Sequence, residues 1–135
     1  AIWRESGINI LNREIKKQVY NDGGQYELDP HYHLAAINIF CKALRMADCN
    51  GFRNEFPSEY LDTVKNMIAF YANICFPDYT NPCFSDAKLG DRPAEIRNYQ
   101  DWLKLFPDCE TAIGYVIMRQ KGVKALLSLI FPTGH

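Results

Sequence analysis

Between Trp3 and Tyr20 the apolar positions Ile8, Leu11, Ile15 and Val19 recur at steps of three and four. That spacing puts them on one face of an α-helix, with Arg13, Glu14, Lys16 and Lys17 mostly on the others. "NDGG" (21–24) ends the pattern, because Asn and Gly accept the left-handed backbone that closes a helix. A second stripe, Leu34, Ile37, Cys41 and Leu44, follows Asp29-Pro30. Asp29 suits the N-cap and Pro30 the first helical position. "DCNG" closes this helix near Gly51. "PSEYLDTVKNMIAFYANICF" predicts a third, capped by Ser58, with Leu61, Val64, Ile68, Tyr71 and Cys75 on its apolar face. Residues 77–92 then form a polar connection of a length that is often functional. A fourth helix is expected over 93–106, carrying Ile96, Tyr99, Leu103 and Phe106, and a fifth over 108–120. "VKALLSLIF" adds a short last helix or an extended piece. No useful run of strand alternation occurs. The fold class is all-α, with helices in antiparallel hairpins.

Composition narrows the function. The 135 residues suffice for one domain, and 47% hydrophobic content allows a sizeable core. Fifteen Lys+Arg against 16 Asp+Glu, a net charge of −1, argue against a nucleic-acid partner, which calls for a basic surface. An anionic ligand held by a few local cations stays open. The cysteines, Cys41, Cys49, Cys75, Cys83 and Cys109, are odd in number and contain no CxxC. That excludes a complete disulfide framework and disfavours a zinc site, leaving small buried thiols as the reading. No metal and no cofactor is called for. No apolar run is long enough for a membrane span and no signal-peptide pattern occurs. "AIWRES" lacks a start Met and a helix cap, and "FPTGH" also looks cut, so we expect a segment of a longer protein.

The chemistry concentrates in "DGGQYELDPHYH", from Asp22 to His33. Tyr32 and His33 fall in the first turn of the second helix, His31 just before them, and Gln25, Tyr26 and Glu27 on the approaching loop. A helix N-terminus offers free N–H groups and a positive dipole end, a place to receive a carboxylate or sulfate. Such a field favours a phenolate and disfavours an imidazolium, so Tyr32 could serve as general base and then acid. Plainer readings stand beside this one. Tyr32 could be a packing residue, His33 a hydrogen-bonded structural histidine, and Glu27 a solvated acid or a partner orienting a histidine. His31 and His33 could pair on a metal, but no Cys or carboxylate stands at ligand spacing. Arg13, Lys16 and Lys17 read as a solvated face rather than a polyanion site.

The stretch "LNREIKKQVYNDGGQYELDPHYHLAAINIF" resembles the α-helical domain of the heparinase II/III group of polysaccharide lyases, and within it the heparinase III type, the heparan sulfate lyases of polysaccharide lyase family 12. The resemblance is dense from Trp3 to Met46, continues in "FPDYTNPCFSDAKLGD" and "NYQDWLKLFPDCETAIGY", and fades after about Tyr115. It implies that residues 1–135 are a single segment, the C-terminal part of an incomplete (α/α) toroid whose N-terminal helices and following β-sandwich domain are absent. It also implies β-elimination at uronic acid, giving a 4,5-unsaturated product from an acidic polysaccharide such as heparan sulfate. By motif, Tyr32 is the catalytic acid/base, and Gln25, Glu27, His31 and His33 support it or touch substrate. The family's carboxylate-neutralising Asn lies upstream and its second catalytic His downstream, so the segment alone is expected to be inactive. A partial toroid is also expected to self-associate, and the parent to be exported to the periplasm or cell surface. The alternatives are a lyase of the same group acting on another uronate polymer such as alginate, and a noncatalytic helical module that binds glycans or proteins.

Overall fold

Ile15 has no exposed surface, and the helix that carries it packs into the core built by the others. A computed structural model describes residues 2–76, 80–83, 85–88 and 93–104. These hold α1 (Ile2–Gln18), α2 (Pro30–Cys49), a short 3-10 turn (Arg53–Glu55), α3 (Ser58–Ile74) and α4 (Pro93–Leu103). Among the described residues no strand occurs, only an isolated bridge between Val19 and Gln25. The molecule is all-α, as the periodicity predicts. Phe106, the fifth helix and the last apolar piece lie outside the described residues. No described helix is long and apolar enough to cross a membrane.

α1 ends two residues before Tyr20 because the backbone finds other partners. Tyr20 N–H donates to the Gly24 carbonyl at 2.8 Å and Tyr26 N–H to that of Gln18 at 2.8 Å. The loop between α1 and α2 is pressed against α3. At Gly23, where φ is +92°, a Cβ would lie 2.3 Å from the Asn66 carbonyl oxygen, so glycine is required twice over. α2 starts as its sequence dictates. Asp29 is extended, its Oδ1 accepts from the N–H groups of His31 (2.8 Å) and Tyr32 (3.0 Å), and Pro30 opens the helix.

α3 corrects two expectations. Its N-cap is Pro57, and Ser58 is already helical, its hydroxyl turned to Glu59. The Pro57 carbonyl accepts the first backbone bond, from Tyr60, which leaves the serine one position too late to cap. The buried face is Tyr60, Val64, Met67, Ile68, Tyr71 and Ala72, while Leu61 and Cys75 are only half-buried. Tyr60 turns the helix this way: its hydroxyl donates to the Phe40 carbonyl at 3.1 Å and its ring meets Phe40 edge-on.

The pairs Phe40–Tyr60 and His33–Met67 run in opposite order along α2 and α3, so these helices form an antiparallel hairpin. α4 packs on α3 and reaches α2 by two side-chain bonds: Tyr99 hydroxyl donates to Asn38, and Trp102 Nε1 to Asp48 at 3.3 Å. The start of α1 meets the far end of α2, where Arg4 pairs with Glu55 at 2.8 Å and lies over the Phe52 ring. The cysteines also depart from expectation. Cys41 is buried, and burial pushes its thiol up to about 12, but Cys49 and Cys83 are exposed and Cys75 is intermediate. Cys49 is the last residue of α2, off its buried stripe. Cys109 lies outside the described residues.

Candidate active site

The helical register of α2 separates residues adjacent in sequence. His33 lies four before Ile37 on the buried stripe, whereas Tyr32 lies seven before Ile39 on the opposite face. Tyr32 is 46% exposed, and His31 and Glu27 are exposed beside it in the sequence. Gln25 and His33 are 4% and 2% exposed. The five residues singled out from sequence therefore divide into an outer set, Glu27, His31 and Tyr32, and an inner set, Gln25 and His33.

The inner set is a closed hydrogen-bond system. Gln25 backbone N–H donates to His33 Nδ1 at 3.1 Å, and His33 Nε2 donates to the Met67 carbonyl at 2.8 Å. Acceptance at one nitrogen and donation at the other define a neutral Nε2–H imidazole. Gln25 Oε1 accepts from Glu27 N–H at 3.0 Å. The ring stacks on Tyr71, with planes 6° apart, and tilts against Phe70. Burial holds its pKa below the ordinary histidine value, against the opposing pull of the Met67 carbonyl and the Asp22 charge. A lowered value was expected from the helix dipole; desolvation is the larger cause here.

Two other expectations change. The free N–H groups at the start of α2 are not open to an external anion, because the Asp29 carboxylate and carbonyl already accept from His31, Tyr32 and His33. The Glu27 carboxylate has a neighbour the sequence did not suggest, the Tyr26 hydroxyl, whose pKa it raises through a hydrogen bond and its charge. His31 and His33 cannot share a metal, since one is exposed and the other has both nitrogens engaged. Among the described residues no group of three or more His, Cys, Asp or Glu could hold a metal ion.

Sequence reasoning missed three contributors. Asp22 accepts from Gly24 N–H at 2.9 Å and shapes the loop. Leu28, at φ +55°, holds a left-handed conformation and is 61% exposed, which is uncommon for a residue of its type. The Met67 carbonyl anchors His33 from a helix 34 residues away in sequence. Only the first carried a signal, the Asp-Gly-Gly turn chemistry.

A larger apolar groove of about 430 Å³ lies between the start of α1 and the end of α2, lined by Trp3, Ile8, Leu11, Met46, Phe52 and Phe56 among others. It holds no acid/base group, and at 1.5 Å rise per residue Met46 is roughly 21 Å from Tyr32 along α2. The candidate residues sit at the other end of the helix.

Comparison with known proteins gives this surface its context. The family model described as heparinase II/III N-terminus matches residues 1–115. The chain belongs to that family. A heparin-sulfate lyase of Bacteroides stercoris is 72% identical over 107 residues, covering 79% of this chain and 16% of that protein. One of Pedobacter heparinus is 45% identical over 123 residues, 91% of this chain and 18% of that protein. The chain thus spans less than a fifth of these relatives. Among solved structures, a lysine-methylated heparinase III superposes with a TM-score of 0.72 at 69% identity, covering 86% of this chain and 18% of that one. Heparan sulfate lyase HepC from Pedobacter heparinus gives 0.70 at 43% identity, covering 85% and 18%. The fold described above therefore matches a stretch of these heparinase III structures.

Proposed function

We propose that this chain is part of a lyase that cleaves heparan sulfate-type polysaccharide by β-elimination, with Tyr32 as its acid/base. The observation that carries this reading is the 72% identity to a heparin-sulfate lyase. The site geometry agrees with it: a half-exposed phenol on the first turn of α2, with its backbone fixed by Asp29 and with Glu27 and His31 also exposed. In the reaction the uronate C5–H bond breaks and its electron pair becomes the C4–C5 double bond. The C4–O bond breaks at the same carbon pair, and the leaving oxygen takes a proton. One phenol can remove the first proton as phenolate and deliver a proton to the leaving oxygen. Asp29 already occupies the start of α2; the resemblance implies that the Asn stabilising charge on the uronate carboxylate lies upstream of this chain. On this reading residues 1–135 are the C-terminal part of a helical toroid, and the segment alone is inactive, because catalytic sets lose function out of proportion when members are missing.

The test is release of unsaturated uronate, followed by ultraviolet absorbance, from heparan sulfate, heparin and alginate. The full-length parent should act on heparan sulfate, Tyr32→Phe should lower kcat by about 10²- to 10⁴-fold, and the segment should release nothing. An unchanged kcat in Tyr32→Phe removes the role given to Tyr32. Product from alginate alone moves the substrate.

A further inference from the structure

The imidazole of His33 joins three pieces of chain. It belongs to the first turns of α2, accepts from Gln25 in the junction loop and donates to Met67 in the middle of α3. We infer that His33 is a positioning residue for Tyr32, with separable duties at its two nitrogens: Nδ1 holds the loop in register with the phenol, and Nε2 ties the start of α2 to α3. This rests on the lyase reading above, in which Tyr32 moves the proton.

The loop side is the one that matters for chemistry. Gln25 distributes the constraint it receives: its side chain fixes Glu27 N–H, and its carbonyl accepts from Leu28 N–H at 3.0 Å. The chain then passes to Asp29, which holds Tyr32 N–H. The loop thus reaches the backbone of Tyr32 through Gln25, Leu28 and Asp29. Without an acceptor at Nδ1, the Gln25 N–H is buried and unpaired, a cost that drives local rearrangement. Misplacement by about 1 Å can cost a rate on the order of 10²-fold. The α3 side is less exclusive. Gly23 already packs its backbone against Asn66 and Met67, and α2 and α3 share a broad core. Loss of the Nε2 bond therefore weakens a junction that has other supports.

Two amides separate the halves. The Asn side chain places its oxygen near the Nδ1 position and keeps an acceptor for Gln25. The Gln side chain places its nitrogen near the Nε2 position and keeps a donor for Met67. In the full-length parent acting on heparan sulfate, His33→Asn should retain a kcat about tenfold or more above that of His33→Gln, with KM values within about threefold of each other, because the loss concerns alignment rather than binding. Both should melt below the wild type. A purely structural histidine predicts kcat losses that follow the melting temperatures. Equal kcat values, or the reverse order, overturn the inference. No product from the wild-type parent defeats the lyase reading instead. Should neither variant fold, the ring nitrogens of ¹⁵N-histidine-labelled wild type still decide: His33 must be the Nε2–H tautomer, and an Nδ1–H tautomer overturns the inference.

Discussion

At His33 a second proton would have to sit on Nδ1, where it would face the Gln25 N–H that this nitrogen now accepts from. The groups around the ring are Asp22, whose charge favours protonation, Asp29 at the start of the same helix, and the stacked Tyr71. Burial outweighs Asp22 and lowers the folded-state pKa below 6.5. The unfolded chain therefore takes up a proton first. Stability is complete above about pH 6.5 and falls as pH descends towards the lowered folded value, because in that window the unfolded state binds more protons. Urea midpoints of the parent measured from pH 8 to pH 5 should fall on this account, and part of that slope should vanish in His33→Asn. Two features of this corner were legible in sequence for local reasons. Asp29 and Pro30 act within their own helix turn, and His33 lies on the Ile37 stripe. The partners of His33 were not legible, since Met67 approaches through tertiary packing that no local pattern encodes.

The helices came from periodicity, and the misreadings came where two registers competed. In α3 the stripe through Leu61 and Cys75 and the stripe through Tyr60 and Met67 are one position apart. The bond from Tyr60 to Phe40 decides between them, and a contact 20 residues away leaves no mark on a helical wheel. The loop before α2 shows the same division. "NDGG" reads correctly as a stop, yet the strictest demand on it comes from α3. Gly23 and Gly51 both have positive φ, but a Cβ at Gly51 meets nothing within 4 Å, whereas one at Gly23 meets the backbone of Asn66 and Met67. Gly51→Ala should cost about 1–2 kcal/mol, the left-handed penalty alone. Gly23→Ala should cost clearly more, since helix backbone cannot move aside as a side-chain tip can. Thermal melts of the two variants in the parent check the order, and equal costs would mean that the loop is not docked as described.

For the whole molecule, the exposed apolar surface is the larger clue. Trp3 and Met46, at 90% and 70% exposure, flank the apolar groove between α1 and α2, and Ile10 and Ile39 are exposed as well. An exposed apolar groove such as the one Trp3 and Met46 line marks an interaction site or an aggregation liability. In a chain that spans less than a fifth of its relatives, the segment expressed alone should self-associate. Sedimentation velocity should show a mass that rises with concentration, and Trp3→Lys with Met46→Lys should lower it. A monomer at all concentrations would contradict this. The bond from His33 to Met67 has a consequence on another axis, that of time. It joins residues 34 apart, so the loop before α2 gains its anchorage to α3 only when the α2–α3 hairpin has closed. The start of α2, its loop and the hairpin then belong to one cooperative unit. A loop amide, that of Gln25, should exchange its hydrogen as slowly as an amide of the helical core, and the site should be lost only when the fold itself opens.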